Sequence, residues 1–429
     1  MTSSTTPPKK DASIAVVFVS NGPGELATWV KPLAERLHSN ILMRPLVPSS
    51  PISLKLVLVP CPNATGKEAD VAKKFGYFQQ ITKAKIFWRL LIRPANYGEW
   101  PKQGLVVFLG GDQFWSVLLS ARLGYKHITY AEWLARWPYW NDSIAAMSEK
   151  VRERLPKRFR SRCKVVGDLM ADLSSISKIK EPLPSGEWIA LLPGSKKSKL
   201  CVGIPFFISV ADQLAKLRPQ CKFLLPVAST TNVDELKHFS SLNNPIARLY
   251  SSSIVEIKPK QNNQLMRKFI TKMGTEINLY ENQPAHAQLS QCKLALTTVG
   301  ANTAELGALG VPMIVIVPTQ HLSVMQAWDG IIGIIARIPG LKWCIGFLLT
   351  AWRLRNNGFL AWPNISAGRR IVPEKVGKIM PQEIAFETSQ WLESPSRLKG
   401  QKEDLQSLRG KPGAVKALAK EIQNLISTL

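Results

Sequence analysis

One pattern dominates this chain: short apolar runs alternate with stretches of helical spacing. SIAVVFVS, SLKLVLVP, LVVFLGG and HITYA read as buried strands, and VVGDL follows near residue 165. Between them, Leu26–Leu37 and Phe114–Leu123 carry apolar residues three and four apart. After the Pro/Ser/Gly stretch at Glu181–Gly186 the series restarts with WIALLPG, KFLLPVA, KLALTTVG and PMIVIVP, interleaved with helical Gly203–Leu217 and Ala304–Leu309. Such alternation is the mark of βαβ units and a parallel sheet. The expected fold class is therefore α/β, two doubly wound Rossmann-like domains facing a cleft. Their spans are 12–180 and 186–375, followed by a helical segment over 376–429. Ligands of open α/β sheets sit outside the carboxyl ends of the strands, so the loops there are the place to search.

Composition narrows the classes. A length of 429 residues suits two domains, and 45% hydrophobic with 20% charged residues excludes disordered, collagenous and polytopic membrane chains. Six scattered cysteines without a CxxC pair suggest neither a disulfide framework nor a zinc site, and five histidines lack metal-ligand spacing. The start, MTSSTTPPKKD, lacks the apolar core of a secretory signal. The apolar stretch Gly330–Trp352 is broken by Arg337, Pro339 and Lys342, short of the roughly 20 residues a spanning helix needs. Lys and Arg number 56 against 30 Asp and Glu, a formal charge of +26 that attracts anionic partners.

Three strand ends carry unusual loops. Ser20-Asn21-Gly22-Pro23-Gly24-Glu25 runs directly into a helix, without the GxGxxG fingerprint or the Gly-Lys-Ser/Thr ending of a P-loop. Its plain reading is a tight turn. Pro193-Gly194-Ser195-Lys196-Lys197-Ser198-Lys199 offers backbone amides, a hydroxyl and lysines to phosphate oxygens, or is a solvated basic turn. Thr298-Val299-Gly300-Ala301-Asn302-Thr303-Ala304-Glu305 opens a helix whose amino end suits a pyrophosphate, with Glu305 able to accept from ribose hydroxyls. Its plain reading is a capping arrangement. Two such loops in one half point to a nucleoside-diphosphate site.

The order of these motifs, ending in Pro363-Asn364-Ile365-Ser366-Ala367-Gly368 and Val372-Pro373-Glu374, resembles the lipid-A-disaccharide synthase family of GT-B glycosyltransferases. The family patterns are LPGSR, an SGTATLE-like loop and PNxxAG(K/R)xxVPE. Val166-Gly167-Asp168 with Met170-Ala171-Asp172 is similar to its VGHPxAD segment, and the stretch Tyr130–Trp137 to its aromatic VSPSVWAW. Gly110-Gly111-Asp112-Gln113-Phe114 stands where the family has an acidic PDF element. Departures mark a divergent member: NGPGEL replaces GEASGD, Lys196 the LPGSR arginine, Val299 the donor-loop serine and Asp168 the VGHP histidine.

The resemblance implies a UDP-sugar donor, inverting transfer to an amphipathic lipid acceptor, and neither metal nor other cofactor. The donor would be held by Gly194, Ser195, Lys196, Gly300, Ala301, Asn302, Thr303, Glu305 and Asn364. Asp112, at a strand end, would be the base that takes the acceptor proton, with Glu25 the fallback and a helix cap the plain alternative for Asp112.

Other classes stay in view. The drift at family positions also suits a non-catalytic sugar-nucleotide-binding relative. The basic stretch Lys150–Lys164, with Trp133, Trp137 and Trp140 upstream, suits nucleic acid or a membrane surface, and no RRM, KH or helix-turn-helix pattern accompanies it. Phe87–Arg93 and Trp343–Arg355 share that basic, aromatic character. The expected partners are thus a UDP-sugar, a lipid acceptor and an anionic membrane surface, with a second copy of the chain left open and nucleic acid ranked behind. The expected location is cytoplasmic, peripheral on the inner face of a membrane.

Overall fold

The structure, a computed structural model, describes residues 13–43, 51–60, 66–176, 182–228, 230–260, 266–321, 358–410 and 412–429. Gly330–Trp352 and Trp343–Arg355 lie outside the described residues. The chain divides into two compact units, Met1–Asp172 with Lys411–Leu429, and Leu173–Gly410.

In the first unit, β1 (Ile14–Ser20), β2 (Ile52–Leu58), β3 (Gln80–Thr82), β4 (Gln103–Phe108), β5 (Lys126–Ala131), β6 (Ser143–Ala146) and β7 (Cys163–Val165) form a sheet. Its order is β3-β2-β1-β4-β5-β6-β7, parallel throughout. Every residue of β1 is buried. Val16 and Phe18 join Leu56 and Val107 on one face, while Ala15, Val17 and Val19 join Val57 and Val106 on the other. A strand covered on both faces has no polar side to show, hence its unbroken apolar run.

After β1 the helix begins at Pro23–Glu25, widens into a π-helical turn at Leu26–Val30 and continues as α1 (Lys31–Met43). Two more helices, α2 (Phe87–Ile92) and α3 (Gln113–Leu123), follow. VVGDL is not a strand. The strand is Cys163–Val165, and the Asp168 carboxylate accepts from Met170 N at 2.9 Å to turn the chain.

The helix Ala414–Ile426 belongs to this unit too, although 376–429 reads in sequence as a single segment. It buries Leu418 and Ile422 completely. Its buried Glu421 accepts from Ser143 Oγ at 3.0 Å and pairs with Lys164. Asp172 starts it by accepting from Val415 N at 2.6 Å and from Gly413 N.

The second unit's sheet comprises β8 (Glu187–Leu192), β9 (Cys221–Pro226), β10 (Ile254–Lys258), β11 (Arg267–Thr271), β12 (Glu276–Tyr280), β13 (Leu294–Thr297), β14 (Met313–Pro318) and β15 (Glu374–Gly377). Its order is β10-β11-β12-β9-β8-β13-β14-β15. From β12 to β15 the strands are parallel in the doubly wound order, and β10 and β11 extend that sheet antiparallel. Its helices include α4 (Lys197–Leu217), α5 (Ala301–Leu309), α6 (Trp362–Ala367), α7 (Pro381–Leu392) and α8 (Pro395–Arg409).

Among the described residues, α4 alone is long and apolar enough to cross a membrane. Here it is a core helix, with Phe206, Phe207 and Ile208 all buried. Pro205 lies inside it, lacking an N–H for the carbonyl four residues earlier. That carbonyl, of Cys201, accepts from Asn244 Nδ2 at 2.8 Å instead.

His127 of β5 is fully buried, its Nε2 2.9 Å from Ser116 Oγ, whose own proton goes to Gln113 O. The ring nitrogen must therefore donate to Ser116. Burial pushes its pKa down to about 4, against smaller opposing effects of the Trp140 carbonyl and Asp142. The unfolded chain then binds the extra proton between pH 6.5 and 4, so stability is complete above that window and falls through it. At 1.36 kcal/mol per unit, the loss is roughly 3 kcal/mol. Denaturant melts at pH 7 and pH 4.5 should show this loss in the parent and a flatter dependence in His127→Gln.

Candidate functional site

In the second unit, β8 and β13 lie side by side while their helices leave in opposite directions along the sheet. This is the switch point of a doubly wound sheet, where the loops after the two strands meet. They do meet: Lys199, in the first turn of α4, donates from Nζ to Val299 O at 2.6 Å. Gly194 lies against both Lys199 and Thr298, a Cβ there standing 3.4 Å from Thr298 Oγ1. Gly300 precedes α5 at φ 153°, a conformation that other residues avoid. The bridging ammonium lies 3.4 Å from where its Cβ would be.

Two features make this edge a candidate ligand site. Thr298 Oγ1 is buried without a hydrogen-bond partner among the described residues, at odds with the rule that buried hydroxyls are paired. Beside it, α5 begins at Ala301 with the positive end of its dipole, and of its first-turn amides Thr303 N is already bonded to Gly300 O. Gly194, Ser195, Lys196, Gly300, Ala301, Asn302 and Glu305 all cluster at this sheet edge. Lys199 and Thr298 were not among the expected site residues. The signal for Lys199 was its spacing, three residues into the basic turn, which brings it round on the first helical turn.

Glu305 lies on α5 with His286 Nε2 2.7 Å from its Oε1. The imidazole is almost wholly buried, and the contact is not aligned as a hydrogen bond. Glu305 stands in the second turn of α5, past the helix start expected from the sequence, and a carboxylate there can accept from vicinal hydroxyls of a sugar.

Two expected ligand contacts turn inward instead. Thr303 is buried, its hydroxyl donating to Gly300 O at 2.9 Å and accepting from Trp362 N at 3.1 Å. Asn364 is completely buried: its Oδ1 accepts from Ile371 N and Val372 N, and its Nδ2 donates to Val372 O and Glu374 Oε1. An amide so engaged has nothing left for a substrate. Asn364 is the bracket that ties α6 to β15, with Glu374 also accepting from Leu360 N and Ala361 N.

The first unit has a matching switch point between β1 and β4. The loops touch: a Cβ on Gly110 would stand 3.1 Å from Ser20 Oγ and from Glu25 Cγ, and 3.3 Å from Asn21 Oδ1. Glu25 folds back so that its carboxylate covers Gly22. Ser20 Oγ and Asn21 Oδ1 are buried without partners among the described residues.

Asp112 follows β4 at the same edge. Its Oδ1 accepts from Phe114 N at 3.0 Å and caps α3, while Oδ2 lies 3.6 Å from Arg136 Nη1. Glu25 and Asp112 thus occupy one sheet edge, and the plain reading of Asp112, a helix cap, is an observed bond.

Removing the Asn364 bracket takes this partner from Ile371 N, Val372 N and Val372 O, while Glu374 keeps the Leu360 and Ala361 amides. Asn364→Ala should lower the unfolding free energy by about 3 kcal/mol or more, as unsatisfied buried groups cost about 1–3 kcal/mol each. Unaltered stability with weakened UDP binding would return Asn364 to the ligand.

No family model matches the chain. A curated lipid-A-disaccharide synthase from Sulfurihydrogenibium sp. (strain YO3AOP1) is 26% identical over 245 residues, 56% of this chain and 50% of that protein. Further lipid-A-disaccharide synthases match over similar stretches. The chain spans about half the length of the curated relatives it matches. In fold it is similar to S. aureus MnaA solved with UDP, at TM-score 0.55 and 10% identity over 97% of this chain and 98% of that one. It is also similar to UDP-GlcNAc 2-epimerase from Neisseria meningitidis bound to UDP-GlcNAc, at TM-score 0.54 and 15% identity over 96% of this chain and 100% of that one. The chain is thus similar over about half its length to lipid-A-disaccharide synthases, and its two doubly wound units are those of a GT-B-like fold.

Proposed function

We propose that this protein is an inverting glycosyltransferase that moves a sugar from a UDP-sugar to a lipid-linked acceptor. The observation that carries the reading is the second unit's switch point, where the Lys199 bridge, the unpartnered Thr298 hydroxyl and the start of α5 converge. The lipid-A-disaccharide synthase relatives support the reaction class. The UDP and UDP-GlcNAc held by the two structural neighbours support the donor.

In this reading the diphosphate lies against the amides of Ala301 and Asn302, with Ser195, Lys196 and Lys199 supplying a hydroxyl and charge. Glu305, beside His286, accepts from the ribose hydroxyls. As the acceptor oxygen attacks the anomeric carbon, the C1–O bond breaks and its electron pair leaves with UDP. The cationic loop stabilises that charge where it develops. Asp112 Oδ2, on a carboxylate about half exposed, takes the acceptor proton while Oδ1 keeps the α3 cap. Glu25 is the second candidate because it shares the edge and lies over the loop turn.

Loss of one charged hydrogen bond costs about 1.5–3 kcal/mol. Glu305→Ala, Ser195→Ala and Lys199→Met should therefore each weaken UDP binding about ten- to a hundredfold in calorimetry without loss of thermal stability. Parental affinity in all three would remove the site. Asp112→Asn should bind UDP normally and lower turnover about two to four orders of magnitude. Retained turnover, together with a collapse in Glu25→Gln, would transfer the base to Glu25.

A further inference from the structure

The second unit holds a cavity at the opposite end of its strands from the switch point. It lies where β8, β9 and β12 begin, at Glu187, Cys221 and Glu276, whereas the switch-point loops follow the far ends of β8 and β13. Its volume is about 630 Å³, within the roughly 300–1,000 Å³ of pockets that bury small molecules.

Strand register decides what the floor is made of. Trp188 pairs with Lys222, Leu224 with Asn278, and Asn278 with Lys268. Side chains directly opposite one another, or two apart on one strand, share a face. Lys222, Glu276, Asn278 and Lys268 therefore stand on the same side, and all four line the cavity. Strands covered on both faces carry apolar residues at such positions. Asn278 is nonetheless buried, and its carboxamide makes a single hydrogen bond among the described residues, from Nδ2 to Phe223 O at 3.1 Å. The carbonyl oxygen and one N–H of that amide are left for a ligand, since buried polar groups are ordinarily paired.

The wall is apolar and held in place. Trp188 Nε1 donates to Pro184 O at 2.6 Å, Lys222 Nζ to Ser185 O at 2.5 Å, and Leu183 N to Gln291 Oε1 at 2.8 Å. Those bonds fix Pro182 and Pro184 beside the floor, and Trp188 and Met266 complete the apolar lining. The charge is one-sided. Glu276 is already engaged, with Lys268 Nζ at 2.7 Å and Lys258 Nζ at 4.0 Å. Three ammonium groups, those of Lys222, Lys258 and Lys268, against this one carboxylate leave an excess of positive charge. Lys222 and Lys268 each spend one donor of three in the bonds above.

We infer that this cavity binds a small amphipathic carboxylate. The acid's apolar body lies against the prolines, Trp188 and Met266, and its carboxylate accepts from Lys268 Nζ and from the free N–H of Asn278. The inference goes beyond the transferase reading and does not rest on it. An acyl chain and an aromatic ring would both satisfy this chemistry, and the test separates them.

The test is calorimetric titration of the full chain with decanoate and with 2-naphthoate. At least one should bind one-to-one, and the tighter of the two identifies the body as chain or ring. Acetate, a head without a body, should bind more than about a hundredfold more weakly. Decyltrimethylammonium, a body of opposite charge, should bind at least about tenfold more weakly than decanoate. Lys268→Gln should weaken the bound acid about tenfold, whereas Lys268→Arg, which keeps the charge, should retain most of the affinity. The Lys268 side chain is 23% exposed, so an unchanged melting temperature is expected and checks the fold. Lys199→Met, on the switch-point loop, should leave acid binding unaltered. Binding of neither acid, parental affinity in Lys268→Gln, or equal affinity for decyltrimethylammonium overturns the inference. So does loss of binding in Lys199→Met, which would move the acid to the basic loop.

Discussion

Parallel pairing of β8 with β13, and of β1 with β4, is the constraint from which the candidate sites follow. Parallel strands send their loops to one edge, and the reversal of strand order at these pairs leaves adjacent loops with no helix crossing between them. The second unit uses that gap for cations and amides, with Lys199 spanning from one loop to the other. The first uses it for carboxylates and small polar groups: Glu25, Asp112, Ser20 and Asn21. Two sheets of one topology thus carry loops of opposite charge character at their switch points.

The parts legible in the sequence were those written in local pattern. Unbroken apolar runs mark strands buried on both faces, and β1, β4, β8, β9, β13 and β14 all carry one. Short or polar strands escape that pattern: β3 has three residues, β7 is CKV, and β10 to β12 hold charges along their length. Contacts between distant segments leave no local trace. Asp172 capping a helix that begins at Ala414 belongs to that class.

Site residues divide on the same line. Loop composition shows which polar groups stand near a strand end, but not which of them the backbone has already engaged. Thr303 and Asn364 lie in motif positions, yet their hydrogen bonds hold α5, α6 and β15 together. Lys196 and Lys199 share one basic turn, and only the register of the first turn of α4 decides which ammonium reaches Val299. The outward face of α2 is equally cryptic. In Phe87-Trp88-Arg89-Leu90 the sequence alone does not say which aromatic is core, whereas the fold buries Phe87 and leaves Trp88 half exposed.

The central claim is acceptor-dependent sugar transfer from a UDP-sugar. Its most direct test is incubation of the protein with labelled UDP-sugars, with and without a lipid extract, following free UDP and label in the organic phase together. The account predicts that one donor releases UDP only when lipid is present, with the label passing to lipid in inverted anomeric configuration. Conversion of UDP-GlcNAc to its 2-epimer without lipid or UDP release would contradict it, and so would the absence of UDP release from every donor in the presence of lipid.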